Sequence, residues 1–283
     1  MPSYRYRVVD VFTENKLEGN PLAVFTEAEG LDTATMQKLA QELNLSETTF
    51  LFPPTRPDCV ARVRIFTPAN EMRFAGHPTI GTAWVLLNER RAPNSGFALE
   101  ELVGPVPLRI DGKLLWLKTP AITFESTVPR DTCAKLVGVN ESDLLECTPQ
   151  VVSAGNPCLF IALKNREAVD RTVCDTSVLR GITVSKEPLC VFVFAPEPTG
   201  AYSRMFAPLH NIIEDPATGS ATGPLAAYMM AHNLCTKTPG TRLISEQGTK
   251  MGRRSILHIL IGNEGSIEVG GAVAPLAQGT MDL

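Results

Sequence analysis

The chain contains an internal repeat, which limits the folds that it can adopt. Three motifs of the first half recur in the same order in the second: GNPLAVF (19–25) as GNPCLFI (155–161), RIFTP (64–68) as RMFAP (204–208), and EMRFAGH (71–77) as EDPATGS (214–220). Three matches at offsets of 136 to 143 residues indicate a duplication rather than chance. The sequence therefore predicts two similar domains, with residues 1–120 in the first and residues 121–283 in the second.

The segments between the motifs have the patterns of short helices and strands. Asp32 is placed to cap a helix over residues 33–43, in which apolar residues at helical spacing form one stripe. Strands are predicted over residues 6–13, 48–52 and 62–66. Asp111-Gly112 stands between apolar runs, which predicts a hairpin over residues 107–118. Helices and strands mixed in this way predict an α+β fold.

Two further helices are apolar almost all the way round, one following His77 (PTIGTAWVLLNER) and the other following Gly219 (SATGPLAAYMMAH). A surface helix has one apolar stripe, whereas a helix that is apolar on every side is buried. Both are too short to span a bilayer. We therefore expect each to be a central helix enclosed by the curved sheet of its own domain.

The starts of these two helices predict an anion site. Each start has unpaired N–H groups and the positive end of a helix dipole, and each follows a glycine that lets a ligand approach the backbone. If the repeat makes the two starts face each other across a cleft, they suit a small carboxylate held by Gly76, His77, Gly219 and Ser220.

Composition and charge exclude several classes of function. The 283 residues are 44% hydrophobic with a formal net charge of -4, which favours neither nucleic acid nor an anionic membrane as a partner. The sequence has no signal-peptide pattern and no apolar run of membrane-spanning length. Its seven cysteines are odd in number, widely spaced and never C-x-x-C, which is typical of reduced thiols. These features predict a cytoplasmic location and no membrane partner.

No common cofactor or metal motif is present in the sequence. G-x-G-x-x-G, the P-loop and H-E-x-x-H are all missing, and no dense cluster of metal-ligating residues is seen. We therefore expect a site without metal or cofactor, and proton transfer is the chemistry open to such a site.

Glu47 is the favoured candidate for a base. It lies between a helix and the apolar strand TTFLF, where partial desolvation favours a basic role. The second half has no clear counterpart of Ser46-Glu47. The alternative role for Glu47 is to cap the preceding helix region or to lie in solvent.

Two differences between the repeats single out further candidates, because Met72 aligns with Asp215 and His77 with Ser220. His77 is a candidate acid or substrate ligand, or else satisfies backbone groups at the helix start. Asp215 is a candidate to orient a base or bind substrate, or else makes an Asx-turn. Ser220 is a candidate N-cap or anion ligand. Two glutamates that align with each other, Glu71 and Glu214, are expected to be structural and to bond nearby backbone N–H groups.

Three stretches together resemble the PhzF family, the phenazine-biosynthesis isomerases of the diaminopimelate epimerase-like fold. They are LEGNPLAVF with NLSETTF, FTPANEMRFAGHPTIGTA, and SRMFAPLHNIIEDPATGSATGPLA. The resemblance implies two pseudo-symmetric domains, each a β-barrel-like sheet around a central helix. It also implies a homodimer, and a last 10–15 residues that cross back to the first domain.

The resemblance implies isomerisation of a substrate such as trans-2,3-dihydro-3-hydroxyanthranilate. Glu47, in the matching S-E-T motif, is then the acid/base. His77, Asp215, Gly219 and Ser220 match substrate-contacting positions of the family, and Asn20 is expected to line the same cleft. Neighbouring positions at the helix starts, Gly76 and Thr218, complete the expected substrate-binding set.

The sequence departs from its relatives that use two catalytic cysteines. Those racemases and epimerases have a thiol before each central helix, whereas this chain has Ala75-Gly76-His77 and Thr218-Gly219-Ser220. A single base therefore favours isomerisation. The alternatives are a non-catalytic metabolite- or protein-binding member of the fold, and a cysteine racemase, which requires thiols missing from these positions.

Overall fold

The computed structural model describes residues 2–185 and 187–283, and their packing divides the chain into two compact units. Unit 1 comprises Met1–Lys118 and Gly270–Leu283, and unit 2 comprises Thr119–Val269.

In the part of the chain that the structure describes, unit 1 contains two α-helices and nine strands that lie wholly within it. They are β1 (Ser3–Val11), β2 (Asn20–Phe25), α1 (Thr33–Leu43), β3 (Glu47–Phe52), β4 (Ala61–Phe66), β5 (Glu71–Met72), α2 (Gly76–Asn88), β6 (Phe97–Glu101), β7 (Gly104–Asp111), β8 (Leu114–Lys118) and, at the end of the chain, β18 (Val273–Asp282).

Among its described residues, unit 2 contains the remaining four α-helices and the strands between β8 and β18. They are β9 (Thr123–Thr127), α3 (Arg130–Val137), β10 (Gln150–Ser153), β11 (Pro157–Ala162), α4 (Arg166–Arg171), α5 (Thr176–Gly181), β12 (Cys190–Glu197), β13 (Gly200–Ala207), β14 (Ile212–Asp215), α6 (Gly219–Ala231), β15 (Arg242–Gln247), β16 (Ser255–Ile261) and β17 (Ile267–Gly271). The boundary between the units falls within β17.

The two units repeat one order of strand pairing. In unit 1, β2 pairs with β1 and runs parallel to β3; β3 is antiparallel to β4, and β4 pairs with β5 and, in parallel, with β6. In unit 2, β11 pairs with β10 and runs parallel to β12; β12 is antiparallel to β13, and β13 pairs with β14 and, in parallel, with β15. The structure therefore carries the repeat that the three sequence motifs indicate.

Each unit has one central helix, as the apolar patterns predict. In α2 ten residues are buried, including His77, Thr79 and Thr82, and the helix packs on β1, β2, β3 and β8. In α6 eight residues are buried, and the helix packs on β10, β11 and β16. Because both helices are covered on nearly every side, their own apolar residues are distributed around the helix axis rather than along one stripe.

The predicted surface elements are confirmed with small changes in their bounds. The first helix spans Thr33–Leu43, and Asp32 accepts a hydrogen bond from the Thr35 N–H at 2.7 Å. The hairpin at Asp111-Gly112 forms from β7 and β8. The first strand begins at Ser3 and ends at Val11, earlier than predicted, because Phe12 has φ +66° and leaves the extended conformation.

The prediction for Glu71 and Glu214 is wrong in its partners. Each carboxylate accepts two hydrogen bonds from an arginine: Glu71 from Arg64 at 2.6 Å twice, and Glu214 from Arg204 at 2.9 and 2.8 Å. The arginines belong to the repeated R-x-F motif, so both units use the same ion pair between a strand and the strand that follows it. A forked guanidinium fits a carboxylate better than single backbone N–H groups do.

Candidate active site

Three elements of unit 1 begin close together and bring polar side chains to one place. Asn20 begins β2, Glu47 begins β3 and Gly76 begins α2. Gly19 sets the turn before β2: its φ is +66°, and a Cβ there would lie 2.3 Å from the Val11 carbonyl oxygen. Only glycine tolerates this position, which fixes where Asn20 enters the strand.

The imidazole of His77 lies between Asn20 and Glu47. Its Nδ1 is 3.3 Å from the Asn20 side-chain nitrogen, and its Nε2 is 3.4 Å from Glu47 Oε2. Because an amide nitrogen only donates, Nδ1 is the acceptor. A neutral ring therefore carries its proton on Nε2, the ring nitrogen that lies 3.4 Å from Glu47 Oε2.

Burial keeps this ring neutral. His77 is 4% exposed, and desolvation lowers its pKa to about 3. The Glu47 side chain is 13% exposed. The contact between them lacks the alignment of a hydrogen bond, and contacts of this kind often tighten only when substrate binds. The pair therefore consists of the Glu47 carboxyl group with a neutral imidazole beside it.

Both central helices begin without a side-chain cap. Ala75 precedes α2 and Thr218 precedes α6, and neither makes a capping bond with its side chain. The early N–H groups of a helix have no partners within the helix. These two starts therefore lack the side-chain acceptor that an N-cap residue usually supplies, and the anion site expected there stays a prediction.

The polar cluster of unit 2 forms around Asp215. The Thr218 hydroxyl donates to Asp215 Oδ2 at 2.5 Å. The Gln247 amide donates to the Asp215 carbonyl at 2.8 Å and to Thr218 Oγ1 at 3.0 Å, and it accepts from the Thr218 N–H at 3.1 Å. All three residues are buried, so the network holds the start of α6 against the end of β14.

The structure separates the predicted site residues into two sets. Unit 1 contains Asn20, Glu47, Gly76 and His77, and unit 2 contains Asp215, Thr218, Gly219 and Ser220. Glu47 does not lie in solvent, and Asp215 is the last residue of a strand rather than a loop residue. Ser220 is not the N-cap of α6, because Thr218 occupies that position and Ser220 lies within the first helical turn.

The strand register gives Glu47 a counterpart in unit 2, which the sequence did not reveal. Glu47 lies opposite Leu22, the residue after Asn20-Pro21, and Cys190 lies opposite Cys158, the residue after Asn156-Pro157. The prediction that the second half has no counterpart is therefore wrong. The counterpart of Glu47 is a thiol, and a hydrogen bond with Cys158 lowers its pKa.

Two buried residues beside the helix starts were missed from the sequence, Gln247 and Glu101. In unit 2, Tyr202 of β13 pairs with Glu246, the residue before Gln247. In unit 1, Arg62 of β4 pairs with Glu100, the residue before Glu101. Since Arg62 and Tyr202 both lie two residues before the arginine of R-x-F, Glu101 and Gln247 are counterparts. Alternation in FALEE, which puts Leu99 and Glu101 on one face, is the signal that marks Glu101.

Across residues 2–185 and 187–283, no three His, Cys, Asp or Glu side chains are grouped so as to hold a metal ion. No helix in the same part of the chain has the length and hydropathy needed to cross a membrane.

The duplicated sheets, the buried central helices and the polar clusters at their starts define a protein of the diaminopimelate epimerase-like class. A hydroxyproline epimerase from Agrobacterium vitis has this fold, with a TM-score of 0.67 and 12% identity over 99% of this chain and 93% of that one. A predicted epimerase from Pseudomonas aeruginosa is more similar, with a TM-score of 0.84 and 33% identity over 99% of each chain.

Within that class, the chain belongs to the phenazine biosynthesis-like (PhzF) family, whose model matches residues 9–279. The trans-2,3-dihydro-3-hydroxyanthranilate isomerase of Pseudomonas aeruginosa is 35% identical over 98% of each chain. The family resemblance and fold predicted from the sequence are therefore confirmed, and the protein is a member of an isomerase family.

Proposed function

We propose that this protein is a cofactor-independent isomerase that moves a proton between two carbons of a small carboxylate substrate. A relative with 35% identity is named as trans-2,3-dihydro-3-hydroxyanthranilate isomerase, which makes that compound the first substrate to test. The observation that carries the proposal is the pairing of Glu47 with a neutral His77 at the uncapped start of a buried helix.

Glu47 is the proposed base. Its carboxylate removes a proton from a carbon next to an activating group of the substrate, and the electron pair moves into the neighbouring unsaturated system. The carboxylic acid so formed returns the proton to a different carbon, so the double bond shifts and nothing is oxidised or reduced.

His77 is proposed to hold Glu47 and the substrate in place. Because the pKa of His77 lies far below 7, the ring remains neutral and does not form an ion pair with Glu47. Asn20 donates to Nδ1 and so keeps the proton on Nε2, on the side of the carboxylate. Such a fixed donor stabilises charge that develops during proton transfer.

The substrate carboxylate is proposed to bind backbone N–H groups at an uncapped helix start. Gly76 in unit 1 and Gly219 in unit 2 lack side chains that would block the backbone there. Asp215, Thr218 and Ser220 are the further substrate-binding residues proposed for unit 2. The network that Gln247 makes with Asp215 and Thr218 supports this role, because it holds both residues rigidly.

The test is NMR of the protein with trans-2,3-dihydro-3-hydroxyanthranilate in D2O. An isomerase shifts the double bond and incorporates deuterium at the carbon that receives the proton. If that compound is inert, the same assay on a library of small unsaturated amino and hydroxy acids separates another isomerase from a protein that only binds. A ligand that binds without any hydrogen exchange would contradict the proposal and favour a non-catalytic member of the fold.

A further inference from the structure

Glu101 is a buried carboxyl group that the proposed proton transfer does not use. It ends β6 and is 5% exposed. Its Oε1 lies 2.6 Å from the hydroxyl oxygen of Thr79, in the first turns of α2. Its Oε2 is buried and has no hydrogen-bond partner within the described part of the chain. A charged carboxylate with so few partners is costly to bury.

The two short contacts of the Thr79 hydroxyl indicate the protonation state of Glu101. The Thr79 hydroxyl is also 2.7 Å from the Ala75 carbonyl oxygen, and a carbonyl only accepts. One hydroxyl has one proton, so it cannot donate fully to both Ala75 and an ionised Glu101. If Glu101 carries a proton, it donates to Thr79 and Thr79 donates to Ala75, and both short contacts are satisfied.

The counterpart in unit 2 supports a neutral group at this position. Gln247, which occupies the place of Glu101, is an amide and therefore always neutral, and it bonds to Thr218 beside the start of α6. Thr222, the counterpart of Thr79, donates to the Thr218 carbonyl at 2.9 Å, just as Thr79 donates to Ala75. A protonated carboxyl group has the same shape as this amide and, like it, has one donor and one acceptor end.

No charge on the surrounding elements compensates Glu101. Burial raises its pKa to about 8, and the Thr79 hydrogen bond opposes this effect only in part. The charged or titratable groups on α2, β4, β6 and β7 are engaged elsewhere: His77 with Asn20 and Glu47, Arg62 with the ring of Phe52, Arg64 with Glu71, Glu100 with Thr55, and Arg109 with Asp111 and the ring of Trp116.

We infer that Glu101 is a protonated positioning residue, whose carboxylic acid holds the Ala75 carbonyl through Thr79 and thereby fixes Gly76 and His77 at the start of α2. The chain of bonds runs from the end of β6 to the residue immediately before the candidate site. This inference concerns the folded protein with or without substrate. Only its effect on turnover rests on the proposed function.

The direct test compares the stability of the wild type with that of Glu101→Gln by urea unfolding between pH 5 and pH 9. The folded pKa is raised, so the contribution of the protonated group is fully present below the ordinary pKa of 4.5 and is lost as the pH rises to about 8. The ratio of the wild-type folding equilibrium constant to that of the variant should therefore fall roughly tenfold per pH unit in this range. A flat ratio overturns the inference. If Glu101→Gln does not fold, Glu101→Met, which also removes the titrating group, replaces it in this comparison.

A second measurement reports position rather than stability. The ring nitrogen signals of His77 should change in the wild type as the pH passes about 8 and should stay constant in Glu101→Gln. Thr79→Val should move the same signals at pH 7, whereas the matched change Thr222→Val in unit 2 should not. If neither Glu101→Gln nor Thr79→Val changes the ring nitrogen signals of His77 or their pH dependence, Glu101 does not position His77. Because neither measurement needs a substrate, failure here is distinguishable from failure of the proposed isomerase activity.

Discussion

Glu47 and Cys190 occupy the same position in the two units. Each begins the strand that runs parallel to the strand after its Gly-Asn-Pro turn, and each lies opposite the residue that follows that turn. The duplicated fold therefore presents a carboxylate in unit 1 where it presents a thiol in unit 2. A reaction that uses one base needs only the first of them.

This relationship gives a matched pair of variants. We expect Cys190→Ser to retain deuterium exchange within a few-fold of the wild type, because serine preserves size and the proposed chemistry does not use the thiol. The measurement is the rate of deuterium incorporation by NMR, with loss of exchange in Glu47→Gln as the reference. A Cys190→Ser protein that is folded but inactive would show that a thiol takes part, and a two-base racemase would become the better account.

Gln247→Leu should weaken the site of unit 2. The leucine has a similar size but removes the donor to the Asp215 carbonyl and the acceptor for the Thr218 N–H. Loss of buried partners of this kind costs about 1–3 kcal/mol each. We expect lower stability in urea and a fall in kcat/KM of about tenfold or more. Unchanged kinetics in a destabilised protein would mean that the network supports the fold alone.

The pH dependence of stability should carry the signature of a buried neutral His77. Its folded pKa of about 3 lies below the ordinary 6.5, so the unfolded chain takes up the proton first as the pH falls. The contribution is present above pH 6.5 and is lost progressively below it, by up to about 1.4 kcal/mol per pH unit.

We therefore expect the free energy of unfolding of the wild type to fall more steeply than that of His77→Gln between pH 6.5 and pH 4. The same substitution at His232, whose ring is only partly buried, should change the slope much less. Equal slopes for the wild type and His77→Gln would indicate that His77 is protonated in the folded protein.

The two repeated ion pairs should differ in their effect on stability. Arg204 is 9% exposed, and besides Glu214 it donates to the carbonyls of Val169, Asp170 and Thr172. Arg204→Met leaves Glu214 in a buried site without its partner, for which about 3–5 kcal/mol is expected. Arg64→Met, in the more exposed pair with Glu71, should cost about 1 kcal/mol. Urea unfolding measures both, and equal losses would contradict the dependence on burial.

Much of the fold could be predicted because its signals are local. The apolar stripe over residues 33–43 predicts the first helix, and Asp32 caps that helix as expected. The apolar sequences after His77 and Gly219 correctly indicate buried helices. The repeat could be recognised because its Gly-Asn-Pro turns and its R-x-F motifs have the same residues in both halves of the sequence. Each of these signals lies within about a dozen residues of the structure that it specifies.

The parts that could not be predicted depend on pairings between distant residues. Glu47 and Cys190 share no sequence motif, and only strand register shows that they are equivalent. Gln247 is 29 positions from Thr218, and Glu101 is 22 positions from Thr79. The partner of Glu71 was missed for a different reason, since Arg64 is nearby in sequence but faces it only after β4 and β5 pair.

Deuterium incorporation into substrate, compared between the wild type and Glu47→Gln, tests proton transfer by Glu47. Glutamine keeps the size of the side chain and removes its ability to accept a proton from carbon. We expect exchange and the double-bond shift to fall together in Glu47→Gln by about 10²–10⁴-fold. Glu71→Gln, which alters a structural carboxylate paired with Arg64, should lose far less turnover once folded. Full turnover by Glu47→Gln would contradict the claim that Glu47 transfers the proton.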